Sequence, residues 1–323
     1  MSGIANLPIS ATAAAWWFDV ACSFIPGASA AGGEAAQTTF SDDCDLPLPG
    51  QLSHVRSRYG DYKLYLSDCA AGEQRPLVVM LHGCSQTAVD FATGTAMNEA
   101  ASRLGFAVLY PEQSTAEHPM RCWNWHLPEH QRRGCGEPAF LHGLVQHAIE
   151  SFSIDPHRVY VAGLSAGGAM AAILGQAYPE VFAAVGVHSG LAVGCASDWR
   201  GALIAMRGDG PGATGTAARI PTIVFHGDAD TTVDPVNGCS VIAAIAGADA
   251  HLERSDVGVA GDRSFTRSIH RESSGRTIGE HWKLHGAGHA WSGGSKRGSF
   301  ADPAGPVASA EMLRFFLEHP LDR

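Results

Sequence analysis

Five short apolar runs constrain this chain more than any other feature: PLVVMLHG (76–83), GFAVLYPE (105–112), HRVYVAGLS (157–165), FAAVGVHSG (182–190) and PTIVFHGDAD (221–230). Each ends on glycine or polar residues, and its apolar core does not alternate, as expected for a strand buried on both faces. Between them lie stretches with helical spacing. Residues 87–104 carry Val89, Phe91, Met97, Ala100 and Leu104 on one stripe, and residues 136–152 and 166–179 follow the same pattern. Strands alternating with helices at this rhythm predict an α/β fold with a mostly parallel central sheet flanked by helices. Ligands of such sheets bind beyond the carboxyl ends of the strands. A half-exposed hairpin is predicted over 53–66, two further β segments over 264–285 around ESSGR, and a final helix over 307–318. The stretch 192–220, with one short helix and a Gly-rich loop, reads as a small cap insert.

Residues 46–323 are expected to form a single catalytic domain, and residues 1–45 an N-terminal arm or leader-like segment. Within that segment, ASA at 28–30 looks like a processing site, but no basic region precedes it and Asp19 interrupts the apolar stretch. A net charge of −10 argues against a nucleic-acid partner, and no apolar run reaches the length of about 18 residues needed for a membrane span. The eight cysteines fall at 22, 44, 69, 84, 122, 135, 195 and 239 with no C-x-x-C pair. That usage leans towards an extracellular or periplasmic compartment, a cytoplasmic location being the alternative.

Gly163-Leu164-Ser165-Ala166-Gly167 fits G-x-S-x-G where a predicted strand meets a predicted helix. In that context the glycines let strand and helix approach closely, and the serine is thrust out at the sheet edge as a nucleophile elbow. A serine hydroxyl needs a base, and the base needs an orienting acid, in the chain order Ser, Asp, His. Asp230 is assigned as the acid, with Asp228 as the alternative, and His289 as the base, with His285 ending the preceding strand. The oxyanion donors are then the backbone N–H groups of Ala166 and of Cys84 in LHGCSQ.

Other signals weigh less. HLPEH (126–130) matches a zinc-protease pattern, but Pro128 breaks the helix that site requires. GDGPGATG lacks the strand, helix and lysine of a phosphate loop. No metal or organic cofactor is called for. Trp291, and secondarily Trp123 and Trp125, are expected to be flat apolar walls for substrate, packing being the plainer alternative.

The ordered blocks LHGCSQTAVDF, CWNW, RRGCGEP, VYVAGLSAGGAM, VHSGL, PTIVFHGDADTTV and HGAGHAWSGGS resemble those of the poly(3-hydroxybutyrate) depolymerase family of esterases, relatives of feruloyl and acetylxylan esterases. The resemblance covers roughly residues 50–320. It implies an α/β-hydrolase fold and hydrolysis of carboxylic esters through an acyl-enzyme, on 3-hydroxybutyrate oligomers or related polyesters. The alternatives are feruloyl or acetylxylan esters, and, from another class, a non-catalytic binding protein of the same fold. It places Ser165, Asp230 and His289 on the family's triad and Cys84 on its oxyanion loop. It also suggests a Cys84–Cys122 disulfide, and more weakly a Cys195–Cys239 pair.

Overall fold

A computed structural model describes residues 50–322 apart from 69, 71, 212–218 and 247–249. The expected arm, Cys22, Cys44, Cys69 and part of the cap's Gly-rich loop lie outside the described residues.

The chain opens with the hairpin β1 (Leu52–Ser57) and β2 (Gly60–Leu66), followed by β3 (Arg75–Leu81). Helices α1 (Ala88–Thr95) and α2 (Met97–Leu104) lead to β4 (Ala107–Pro111), and α3 (Gly136–Ser151) leads to β5 (Ile154–Leu164). Then come α4 (Ala166–Ala177), β6 (Ala184–His188), α5 (Trp199–Met206), β7 (Thr222–Gly227) and α6 (Val236–Ala246). An antiparallel ribbon β8 (His251–Ala260) and β9 (Arg263–Arg271) precedes β10 (Thr277–Leu284). The two-residue strands β11 (Trp291–Ser292) and β12 (Ala301–Asp302) and helix α7 (Ala308–Leu317) close the chain.

Ten strands form one sheet in the order β1-β2-β4-β3-β5-β6-β7-β10-β9-β8. The six central strands from β4 to β10 run parallel, and the antiparallel pairs sit at the two edges. Because successive side chains of a strand point to opposite faces, β3 feeds two cores. Leu77, Val79 and Leu81 join Leu141, Leu144, Met170 and Val241 on the face covered by α3, α4 and α6. Val78 and Met80 join Phe91, Met97, Met312 and Phe316 on the face covered by α1, α2 and α7.

Three local readings change. The single helix over 87–104 is two, broken at Ala96 in the left-handed region (φ 49°). The Thr95 hydroxyl donates to Phe91 O at 2.8 Å and accepts from Met97 N at 3.3 Å, competing with the helical ladder at the break. Strand β8 goes unseen in the sequence because most of its residues are exposed, so no buried face imposes an alternating pattern. Cys195 and Cys239 are both free thiols, which corrects the weaker disulfide expectation; Cys195 is buried and Cys239 exposed.

Candidate active site

The elbow is built by what its glycines lack. A Cβ on Gly163 would overlap the Gly167 carbonyl, and one on Gly167 would overlap the carbonyls of Leu81, at the end of β3, and of His82 just after it. Strand, turn and helix therefore close together only with hydrogen at these positions. Ser165 sits between them at φ 58°, ψ −120°, a region rarely populated by residues other than glycine. Its N–H donates to His188 O (2.9 Å) and its C=O accepts from Ala169 N (3.0 Å), so the strained backbone is held from both sides. The half-buried hydroxyl does not cap helix α4 and has no hydrogen-bond partner among the described residues.

Asp230 follows β7 and His289 follows β10, so both lie beyond carboxyl ends of strands, as Ser165 does beyond β5. His289 Nδ1 is 2.7 Å from Asp230 Oδ2. The other carboxylate oxygen accepts from Thr232 N and Val233 N, both at 2.9 Å. Burial by itself would raise this carboxyl; the neighbouring His226 and His289 rings and the Val233 N–H outweigh it and hold Asp230 far below the usual carboxylate range. A fixed carboxylate on Nδ1 sets the imidazole tautomer and leaves Nε2 as the basic nitrogen.

The alternatives Asp228 and His285 also meet, at 2.8 Å, but as a pair of their own. That second pair is more exposed, and Gly286 N and Thr266 Oγ1 complete it at 2.6 Å and 2.9 Å. The two aspartates and two histidines thus sort by burial: Asp230 and His289 inside, Asp228 and His285 outside.

His188, at the end of β6, joins the elbow to the histidine loop. Its backbone oxygen holds Ser165 N, and its Nε2 accepts from Ser292 N at 3.0 Å, three residues beyond His289. Burial, followed by the nearby His226 and His289 rings, lowers this imidazole to about 3, so it is neutral. With Nε2 accepting, Nδ1 carries the proton and donates to Ser189 Oγ (3.1 Å). Sequence reading missed this role; the only signal was the block VHSGL.

The LHGC loop lies against the elbow: a Cβ on Gly83 would sit 3.5 Å from Leu164 O. Gly83 N donates to Gln86 Oε1 (3.0 Å), while the N–H groups of Cys84 and Ala166 have no partner among the described residues. Cys84 is bridged to Cys122. Trp123 Nε1 donates to His82 O at 3.1 Å, supporting the same loop from behind. Glu137, at the start of α3, accepts from Asn124 N and Nδ2, both at 2.8 Å, and from Gln113, anchoring the CWNW loop to the body.

The three tryptophans expected to face substrate are buried in the structure. Trp123 and Trp291 are each 1% exposed and Trp125 is also buried. Trp291 stacks on His188 and donates from Nε1 to Ser309 Oγ (3.1 Å), so its polar edge is satisfied inside the core and it presents no face to a substrate. In HLPEH, Pro128 opens a four-residue 3-10 helix, so His126 and His130 share no continuous helix.

A strand–serine–helix elbow in a mostly parallel sheet, with an Asp–His pair after two later strands, defines an α/β-hydrolase. The chain belongs to the esterase PHB depolymerase family, whose model matches residues 60–262. It is 32% identical over 232 residues to poly(3-hydroxyalkanoate) depolymerase C of Paucimonas lemoignei, covering 66% of this chain and 54% of that protein. It is 36% identical over 123 residues to feruloyl esterase B of Thermothelomyces thermophilus, covering 38% and 41%. The chain spans about half the length of the curated relatives it matches. Among solved structures, acetyl xylan esterase from Aspergillus awamori superposes with a TM-score of 0.65 at 20% identity over 83% of this chain and all of that one, a likeness of fold.

Proposed function

We propose that this chain is a serine esterase acting on carboxylic esters, with 3-hydroxyalkanoate oligomers or related polyesters as its substrate class. The observation that carries this is the pairing of buried Asp230 with half-buried His289, tied through His188 to a strained elbow that leaves its serine hydroxyl uncommitted. Ser165 Oγ attacks the ester carbonyl as His289 Nε2 takes its proton. The oxyanion is received by the N–H groups of Cys84 and Ala166. The tetrahedral adduct collapses, His289 protonates the leaving alkoxide, and water, deprotonated by His289, cleaves the acyl-enzyme. No step draws on a metal or an organic cofactor. The Cys84–Cys122 bridge supports residence in an oxidising compartment, extracellular or periplasmic. No helix among the described residues is long and apolar enough to cross a membrane.

Relatives named as polyester depolymerases and as plant-ester esterases point to the deciding experiment. A fluorophosphonate probe should label the wild type and not Ser165→Ala. Initial rates on 3-hydroxybutyrate oligomers should then exceed those on methyl ferulate and acetylated xylan. Faster turnover of the plant esters reverses the substrate assignment, and an unlabelled wild type removes the serine mechanism and revives the non-catalytic reading.

A further inference from the structure

Beside the triad lies a buried histidine that the mechanism above does not use. His226, in β7 four residues before Asp230, is 1% exposed. Its Nε2 is 2.9 Å from Val233 O, and since a carbonyl only accepts, Nε2 carries the proton. The same nitrogen faces Asp230 Oδ2 at 3.5 Å, a longer, secondary contact. Val233 is also the residue whose N–H binds Asp230 Oδ1. His226 therefore closes a small ring: its N–H holds the Val233 carbonyl, the Val233 N–H holds the carboxylate, and the carboxylate holds His289.

The far side of the ring shows why an imidazole stands here. His226 Nδ1 and His281 Nε2 are both buried without a hydrogen-bond partner, a destabilising arrangement that an apolar side chain would avoid. Both aim at one spot, since a Cβ added to Gly238 would lie 3.0 Å from each. Gly238 lies in the first turn of helix α6, and its missing side chain leaves the space beside both nitrogens open. Burial, and after it the His226 ring, keeps His281 neutral, lowered to about 4. Two unsatisfied nitrogens and a first-turn glycine thus meet around the His226 ring.

We propose that His226 is a positioning residue for Asp230, acting through the Val233 turn, with Gly238 and His281 forming the wall that fixes its ring. The assignment rests on the esterase reading for its kinetics. It predicts that what matters at 226 is a donor at the Nε2 position, and that filling the wall tilts the donor away.

The test is steady-state hydrolysis of p-nitrophenyl acetate by His226→Leu, His226→Gln and Gly238→Ala, each in the wild-type and Asp230→Asn backgrounds, with melting temperatures recorded. His226→Leu should lower kcat about 10- to 100-fold with KM changed less than about twofold, the signature of a displaced catalytic group. His226→Gln, which keeps an N–H donor, should recover most of that loss, and Gly238→Ala should lower kcat in the same sense. In the Asp230→Asn background the His226→Leu effect should shrink to about twofold or less. Equal losses with and without the Asp230 carboxylate, or His226→Leu turning over like wild type, would overturn the proposal. A readout independent of substrate is the low-field proton resonance of His289 Nδ1–H, assigned by its absence in His289→Ala. It should shift or vanish in His226→Leu, and an unchanged resonance refutes the assignment even if the esterase reading itself has failed.

Discussion

At the scale of single residues, the fold resolves a choice that spacing left open. Asp228 and Asp230 are close neighbours in the sequence, as are His285 and His289 further on, and three-dimensional pairing gives each aspartate its own histidine. The inner pair, with its buried carboxylate, has the electrostatics a base-orienting group needs, whereas the Asp228–His285 pair is wet on one side and screened. Asp230→Asn should therefore reduce kcat on p-nitrophenyl acetate by on the order of 10³–10⁴-fold. Asp228→Asn should cost less than about tenfold, through loosening of the loop that carries Asp230. Comparable losses for the two would mean that the outer pair shares the chemistry. Acid stability belongs to this scale too. His188 and His281 have folded values of about 3 and about 4, against 6.5 when free. Between those limits the unfolded chain binds more protons than the folded one, so stability is full above about pH 6.5 and falls as pH drops towards 4. Thermal melts from pH 7 to pH 4 should show a declining melting temperature, with a shallower slope in His281→Gln.

At the scale of elements, the strongest local signals are those in which backbone geometry dictates residue type. Gly163 and Gly167 are legible because no other residue fits a strand and helix this close, and they occur with a serine in a recognisable order. Gly167→Ala should destabilise the fold by on the order of 3 kcal/mol or more, read as a lower denaturant midpoint, because a backbone carbonyl cannot move aside as a side chain would. The tryptophans went the other way. Their composition fits a substrate wall and a core equally well, and only burial separates the two. Trp291→Phe, which loses the bond to Ser309 but keeps the stack on His188, should leave KM within about twofold while lowering the melting temperature. A large rise in KM would restore the substrate contact. Strand β8 and the break at Ala96 were unreadable for a common reason: neither is specified by a buried hydrophobic face.

At the scale of the whole molecule, the LHGC loop after β3 and the CWNW loop after β4 are brought side by side by the parallel pairing of those strands, and the Cys84–Cys122 bridge spans 38 residues of chain. Closing a loop of that length contributes about 2–4 kcal/mol by restricting the unfolded chain. Cys122→Ser should therefore lower stability by that order. It should lower kcat as well, since Cys84 N–H would lose one of its restraints; retained turnover would show that Gln86 and Trp123 hold the loop unaided.

The sequence by itself determined the α/β alternation, the place of the elbow serine and a short set of acid and base candidates, because buried strands and tight turns admit few residue types. Tertiary structure alone decided which aspartate meets which histidine, that the tryptophans are buried, and that His188 and Glu137 tie the loops around the elbow to the body. The Asp230–His289 and His188–Ser292 contacts join residues 59 and 104 positions apart in the sequence, separations that no local pattern records.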